Sequence, residues 1–130
     1  HSEIGFNYRM PNINAALGCA QFDNLYDIAN RKRHLSKLYL NAFRDFEGIR
    51  LMEQGPLRPT NHWLNALYVT GVDKKKLLKM LDDDGLESRM CWTPLHLLEM
   101  YKNARRDDLT MTDKLSRSII NIPSGPGIVD

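Results

Sequence analysis

The chain has 130 residues, enough for one ordinary domain with its own core. Its 42% hydrophobic and 26% charged content exclude a disordered tail, and a formal net charge of +2 gives no case for a nucleic-acid binder. No apolar run reaches the roughly 18 residues of a membrane span and no signal-peptide pattern is present, so a cytoplasmic protein without a membrane partner is expected.

The chain opens on Gly5-Phe6-Asn7-Tyr8-Arg9-Met10-Pro11 and passes straight into a helical pattern. Pro11 suits a first helical turn and Gly48 an exit, which predicts one long helix over 12–46. Ile13, Leu17, Ala20, Ile28, Leu35, Leu38, Ala42 and Phe46 fall on one face of it, and Phe22, Leu25, Ala29, Leu40 and Phe43 form a second strip. Residues 13–20 are apolar nearly all round. Such a helix must be covered from more than one side, which predicts contact with another domain or subunit. Cys19 sits in this stretch and is expected to be a small buried residue.

Shorter elements follow. Residues 49–53 read as a strand, 54–61 as a turn-rich loop, and 63–70 as a second strand. Asp73 can cap a helix ending at Asp84, with Leu77, Leu78 and Leu81 inward and Gly85 as its exit. A third strand is expected over 86–92, short helices over 97–102 and 112–118, then the apolar strand Ile119-Ile120-Asn121-Ile122 and a Pro/Gly loop. The order gives an α+β fold: a long N-terminal helix plus a small, mainly antiparallel sheet with helices on one face. Residues 1–46 form the opening motif and helix, and 47–130 the small domain.

Phosphate-loop, nucleophile-elbow and dinucleotide-binding motifs are absent, and the two cysteines have no metal or redox spacing. Three places offer chemistry. Asn7-Tyr8-Arg9 stands at a helix mouth, where unpaired N–H groups and the positive dipole end favour anions; it can equally be a loop that holds the helix start. Asn61-His62-Trp63 enters a strand, either as a pocket edge or as a strand-edge aromatic with a satisfied histidine. In Trp92-Thr93-Pro94-Leu95-His96 a proline-fixed loop sets His96 near Trp92. The pair can line a pocket for a sugar or base, or be a buried indole and a helix-capping imidazole.

The run from Gly5 through Pro11, continued by Asn12-Ile13-Asn14-Ala15-Ala16-Leu17-Gly18-Cys19-Ala20-Gln21-Phe22, resembles the DegT/DnrJ/EryC1/StrS family of pyridoxal-phosphate-dependent sugar aminotransferases. Pro94-Leu95-His96 with Tyr101, then Leu115-Ser116-Arg117 before Asn121-Ile122-Pro123-Ser124-Gly125-Pro126-Gly127, is similar to that family's C-terminal pattern in the same order. The resemblance covers nearly the whole chain. It departs at Phe6, where the family has Tyr, and at Pro11, where Ser or Thr would offer a capping hydroxyl.

The resemblance implies the C-terminal small domain of a fold-type I aminotransferase that works as a homodimer. Its activity would move an amino group from glutamate to the keto group of a nucleotide-linked deoxysugar. Asn7 would donate to the cofactor phosphate of the neighbouring subunit. Tyr8 and Arg9 would line the substrate region, and His96, Trp63 and Trp92 would take part in substrate recognition. The family's cofactor-anchoring lysine and its ring-nitrogen aspartate belong to a large domain ahead of this segment, and a final helix is expected after Gly127. None of Lys74, Lys75, Lys76 or Lys79 matches the lysine's motif. The 130 residues are therefore expected to be an excised part, inactive and without retained cofactor. A non-catalytic interaction module, and a same-fold dehydratase that uses the same cofactor, are the alternatives.

Overall fold

The computed structural model describes residues 2–53 and 60–129. Its helices and strands are α1 (Asn12–Phe22), α2 (Leu25–Ala42), β1 (Ile49–Leu51), β2 (Asn65–Val69), α3 (Lys74–Asp83), β3 (Arg89–Met90), α4 (Thr110–Ser118) and β4 (Ile119–Ile122). Single 3-10 turns stand at Leu95–Leu97, Glu99–Tyr101 and Pro126–Val129. The strands form one antiparallel sheet in the order β1-β2-β4-β3. The α+β architecture expected from the sequence is the one found.

The core follows from strand alternation. Register pairs Leu51 with Leu67 and Leu67 with Ile120, so Leu51, Leu67, Val69, Ile120 and Ile122 share one face of the sheet, and all five are buried. Tyr39 and Leu40 of α2, Phe43 just beyond it, and Leu77, Leu78 and Leu81 of α3 cover that face. The three α3 leucines are those the sequence placed inward. Burying each aliphatic side chain contributes about 1.5–3 kcal/mol, so this cluster is the main source of stability. Arg50, Ala66, Tyr68 and Asn121 point to the opposite face, where the Arg50 guanidinium lies 5.0 Å from the centre of the Tyr68 ring.

The local signals around α3 hold at both ends. Asp73 Oδ1 accepts from the backbone N–H of Lys75 at 2.9 Å and of Lys76 at 3.3 Å, a side-chain cap worth about 1 kcal/mol. Gly85 takes φ +76°, and the Leu86 N–H closes back on the Leu81 carbonyl at 2.7 Å.

The single helix expected over 12–46 is two helices. The chain leaves α1 at Asp23, and Asn24 adopts φ −101°, ψ 7° before α2 begins. The Asn24 N–H bonds the Gln21 carbonyl at 3.1 Å, a tightened turn of three residues, and the Asn24 carbonyl accepts from Ile28 to open α2. Asp and Asn are weak helix formers, and two in succession tip the balance. α2 ends at Ala42, four residues earlier than expected, and the chain turns to Gly48, whose φ of +75° suits glycine.

α1 buries none of its residues, and Ile13, Leu17 and Phe22 are all exposed. Cys19, expected to be buried, is exposed for the same reason. The strand expected over 86–92 contracts to Arg89–Met90, and the helix over 97–102 to two 3-10 turns. Of the loop expected over 54–61, residues 54–59 lie outside the described residues.

Candidate functional site

Trp63 precedes β2 and Trp92 follows β3, and β4 lies between those two strands in the sheet. The indoles stack with centroids 5.8 Å apart and planes 22° from parallel. They border a cavity of about 360 Å³ whose wall also includes Glu87, Arg89, Asn121 and Ser124. That volume is within the range of small-molecule sites.

The loop ahead of β2 is built to aim Trp63. Thr60 Oγ1 accepts from the His62 N–H and Asn61 Oδ1 from the Trp63 N–H, both at 3.0 Å. His62 between them adopts φ 51°, an uncommon conformation for a residue with a side chain.

Helix α2 fastens this loop to the chain segment after β4. Lys32 Nζ donates to the Trp63 carbonyl at 3.1 Å and to the Ser124 carbonyl at 2.6 Å. The Tyr39 hydroxyl donates to the Pro123 carbonyl at 3.0 Å. Ser124 Oγ donates to the Ile122 carbonyl and accepts from the backbone and side-chain amides of the buried Asn65. These bonds set one wall of the cavity.

Burial lowers the pKa of the Lys32 ammonium below its ordinary value and raises that of the Tyr39 phenol. His62 is held below its ordinary 6.5, first by burial and then by the positive charges of Arg33 and Lys32. The imidazole beside Trp63 therefore favours its neutral form.

His96 lies elsewhere. It sits in the 3-10 turn Leu95–Leu97, and its Nε2 is 2.8 Å from Asp113 Oδ1 in the first turn of α4. Its side chain is 12% exposed. It lines a second cavity of about 440 Å³ with Leu95, Tyr101, Arg105 and Arg106. Asp108, just ahead of α4, accepts from the Thr110 N–H and hydroxyl, and those bonds hold its carboxyl below the usual carboxylate range.

Asn7, Tyr8 and Arg9 precede α1 in an exposed stretch without regular secondary structure, with Tyr8 91% exposed and stacked on Phe6. Among the described residues nothing joins them to the tryptophan cavity. The structure thus brings Trp63 and Trp92 together and leaves His96 and the 7–9 segment at two other places. Sequence reasoning missed Lys32, Glu87, Arg89, Asn121 and Ser124. A single amide inside the apolar strand 119–122 was a visible signal for Asn121.

A sequence model of the DegT/DnrJ/EryC1/StrS aminotransferase family matches residues 1–130. The chain belongs to this family. It is 29% identical over 136 residues to a GDP-perosamine synthase of Vibrio cholerae, covering 100% of this chain and 36% of that one. A Bacillus subtilis protein, provisionally named a pyridoxal phosphate-dependent aminotransferase EpsN, is 30% identical over 135 residues, covering 100% of this chain and 35% of the relative. The chain thus spans about a third of the length of these curated relatives. DesI, solved in the presence of its TDP-sugar product, superposes on 95% of this chain with a TM-score of 0.81 at 23% identity, covering 33% of DesI. At that identity the likeness establishes the fold alone.

Proposed function

We propose that this chain is the small-domain part of a pyridoxal-phosphate-dependent aminotransferase. The whole protein moves an amino group from glutamate to the keto group of a nucleotide-linked deoxysugar. The observation that carries this reading is a paired-tryptophan cavity with a polar rim inside a chain that matches the family from end to end. The relatives named GDP-perosamine synthase support a nucleotide-linked substrate.

The residues present fit one end of the cofactor. Asn7 offers an exposed amide N–H₂ ahead of a helix, a suitable donor to a phosphate dianion. In this reading the chain contributes to the phosphate end of the cofactor through Asn7, and the covalent link is made outside the Trp63–Trp92 cavity, whose described lining holds no lysine. When bound, the cofactor supplies the electron sink for moving the amino group. Arg9 contributes a fork of donors for a diphosphate or a carboxylate. Tyr8 lines the same region, and Trp63, Trp92 and His96 orient the nucleotide sugar.

In this reading Asn7 acts in the site of a second subunit. The exposure of α1 on all sides supports that arrangement, because an apolar helix with no buried residue is suited to a cover of large domain and partner. The same observation favours the second reading, a docking module without catalysis of its own.

Titration of the full protein with pyridoxal phosphate, followed by the absorbance of the bound cofactor, separates the two. Loss of a hydrogen bond to a charged group costs about 1.5–3 kcal/mol, so Asn7→Ala should weaken cofactor binding about tenfold or more. A protein that binds no cofactor, or an Asn7→Ala variant with unchanged affinity, overturns the assignment.

A further inference from the structure

We infer that the Trp63–Trp92 cavity is the nucleobase subsite, and that Glu87 and Arg89 on its rim make it a reader of guanine. The inference rests on the nucleotide-sugar reading above and narrows it from any nucleotide to one base.

The tryptophans provide the platform. Stacked on each other, they still leave Trp63 65% and Trp92 64% exposed, a large aromatic surface beside the open cavity. Planar bases stack on such surfaces whatever their identity. The Trp63 carbonyl accepts from Lys32 and the Trp63 N–H donates to Asn61 Oδ1, which anchors the backbone under one of the two indoles and leaves less order for a ligand to impose.

The rim carries the selection. Glu87 and Arg89 are two residues apart at the entry to β3, a spacing that in extended chain puts both side chains on one side. Both line the cavity and pair with each other, so a carboxylate and a guanidinium stand side by side at its edge. Asn121, the register partner of Arg89, adds an amide next to them.

A carboxylate only accepts and a guanidinium only donates. Guanine presents two donors on one edge, N1–H and N2–H₂, and two acceptors on the next, O6 and N7. The carboxylate takes the donor pair and the guanidinium the acceptor pair. Uracil and thymine set a carbonyl on each side of their single N–H, so one carboxylate oxygen would face a carbonyl oxygen. Adenine offers its exocyclic amine as the only donor on that edge, and half the carboxylate stays unmatched.

The test uses the full protein with fluorotryptophan incorporated, the signals of Trp63 and Trp92 being assigned through W63F and W92F. GDP, UDP and dTDP are titrated in turn. GDP should shift both signals saturably, with UDP and dTDP about tenfold weaker, the discrimination expected of one good two-point contact. Glu87→Gln should bring GDP down to the level of UDP. Glu87 is an exposed side chain, so its replacement does not threaten the fold. Equal affinity for the three nucleotides, or a guanine preference that survives Glu87→Gln, overturns the reading of guanine. Absence of any shift at the two tryptophans overturns the subsite itself. Neither outcome touches the aminotransferase reading, which is judged by cofactor binding and amino transfer and needs no particular base.

Discussion

His62 concentrates the chemistry of the tryptophan loop in one residue. It holds a left-handed backbone conformation, precedes Trp63, and has its imidazole kept neutral by burial and by Arg33 and Lys32. A histidine whose folded pKa lies below its unfolded value binds fewer protons when folded, so acid favours unfolding. Its contribution is fully present above the ordinary value of 6.5 and is lost as the pH falls from there through the lowered folded pKa. Urea denaturation at stepped pH should therefore show stability falling below about 6.5. Part of that fall should vanish in His62→Gln, which has no proton to take up. An identical pH profile in the variant would show that His62 is not the group responsible. The sequence offered the trio 61–63 but not this electrostatic setting, because Lys32 and Arg33 reach it from a helix some thirty residues earlier in the chain.

Among the elements, β4 and α3 were legible because their signals are local. The run Ile119-Ile120-Asn121-Ile122 stops at Pro123, and Asp73 and Gly85 bracket a strongly amphipathic stretch. The division of the long helix at Asp23–Asn24 was not legible, since the apolar spacing continues across it and two polar residues interrupt no stripe. Nor was the meeting of Trp63 and Trp92. It depends on β4, the last strand in sequence, lying between β2 and β3, and no local pattern encodes that order.

The helices also divide by what they bury, and this yields a paired expectation. Ile120 is 0% exposed at the centre of the sheet, so Ile120→Ala should cost about 2–5 kcal/mol in a urea titration of this chain. Leu17 lies on exposed α1, and Leu17→Ala should stay within about 0.5 kcal/mol. A large loss at Leu17 would mean that α1 packs into the domain rather than outward.

For the whole molecule, one packed unit of sheet, α2, α3 and α4 carries the tryptophan and His96 cavities, while the opening motif and α1 extend from it without burial. This division fits the proposed role, in which the tryptophan cavity beside the sheet takes part of the substrate and the segment before α1 reaches the cofactor phosphate and the substrate's charged groups. The family resemblance carried by residues 5–22 was clear from sequence because the motif is contiguous. The rim of Glu87, Arg89 and Asn121 was not, because it assembles from separate strands.

The measurement that bears most directly on this account is amino transfer by the full protein. It would be supplied with pyridoxal phosphate, glutamate carrying an isotope label on its amino nitrogen, and a nucleotide-linked keto-deoxysugar. The account predicts that the label appears in an amino sugar. It also predicts that Trp92→Ala raises KM for the nucleotide sugar with a smaller effect on kcat, as expected when binding shared by substrate and transition state is removed. Consumption of the sugar with loss of a hydroxyl and no label, or no turnover of glutamate at all, would contradict it.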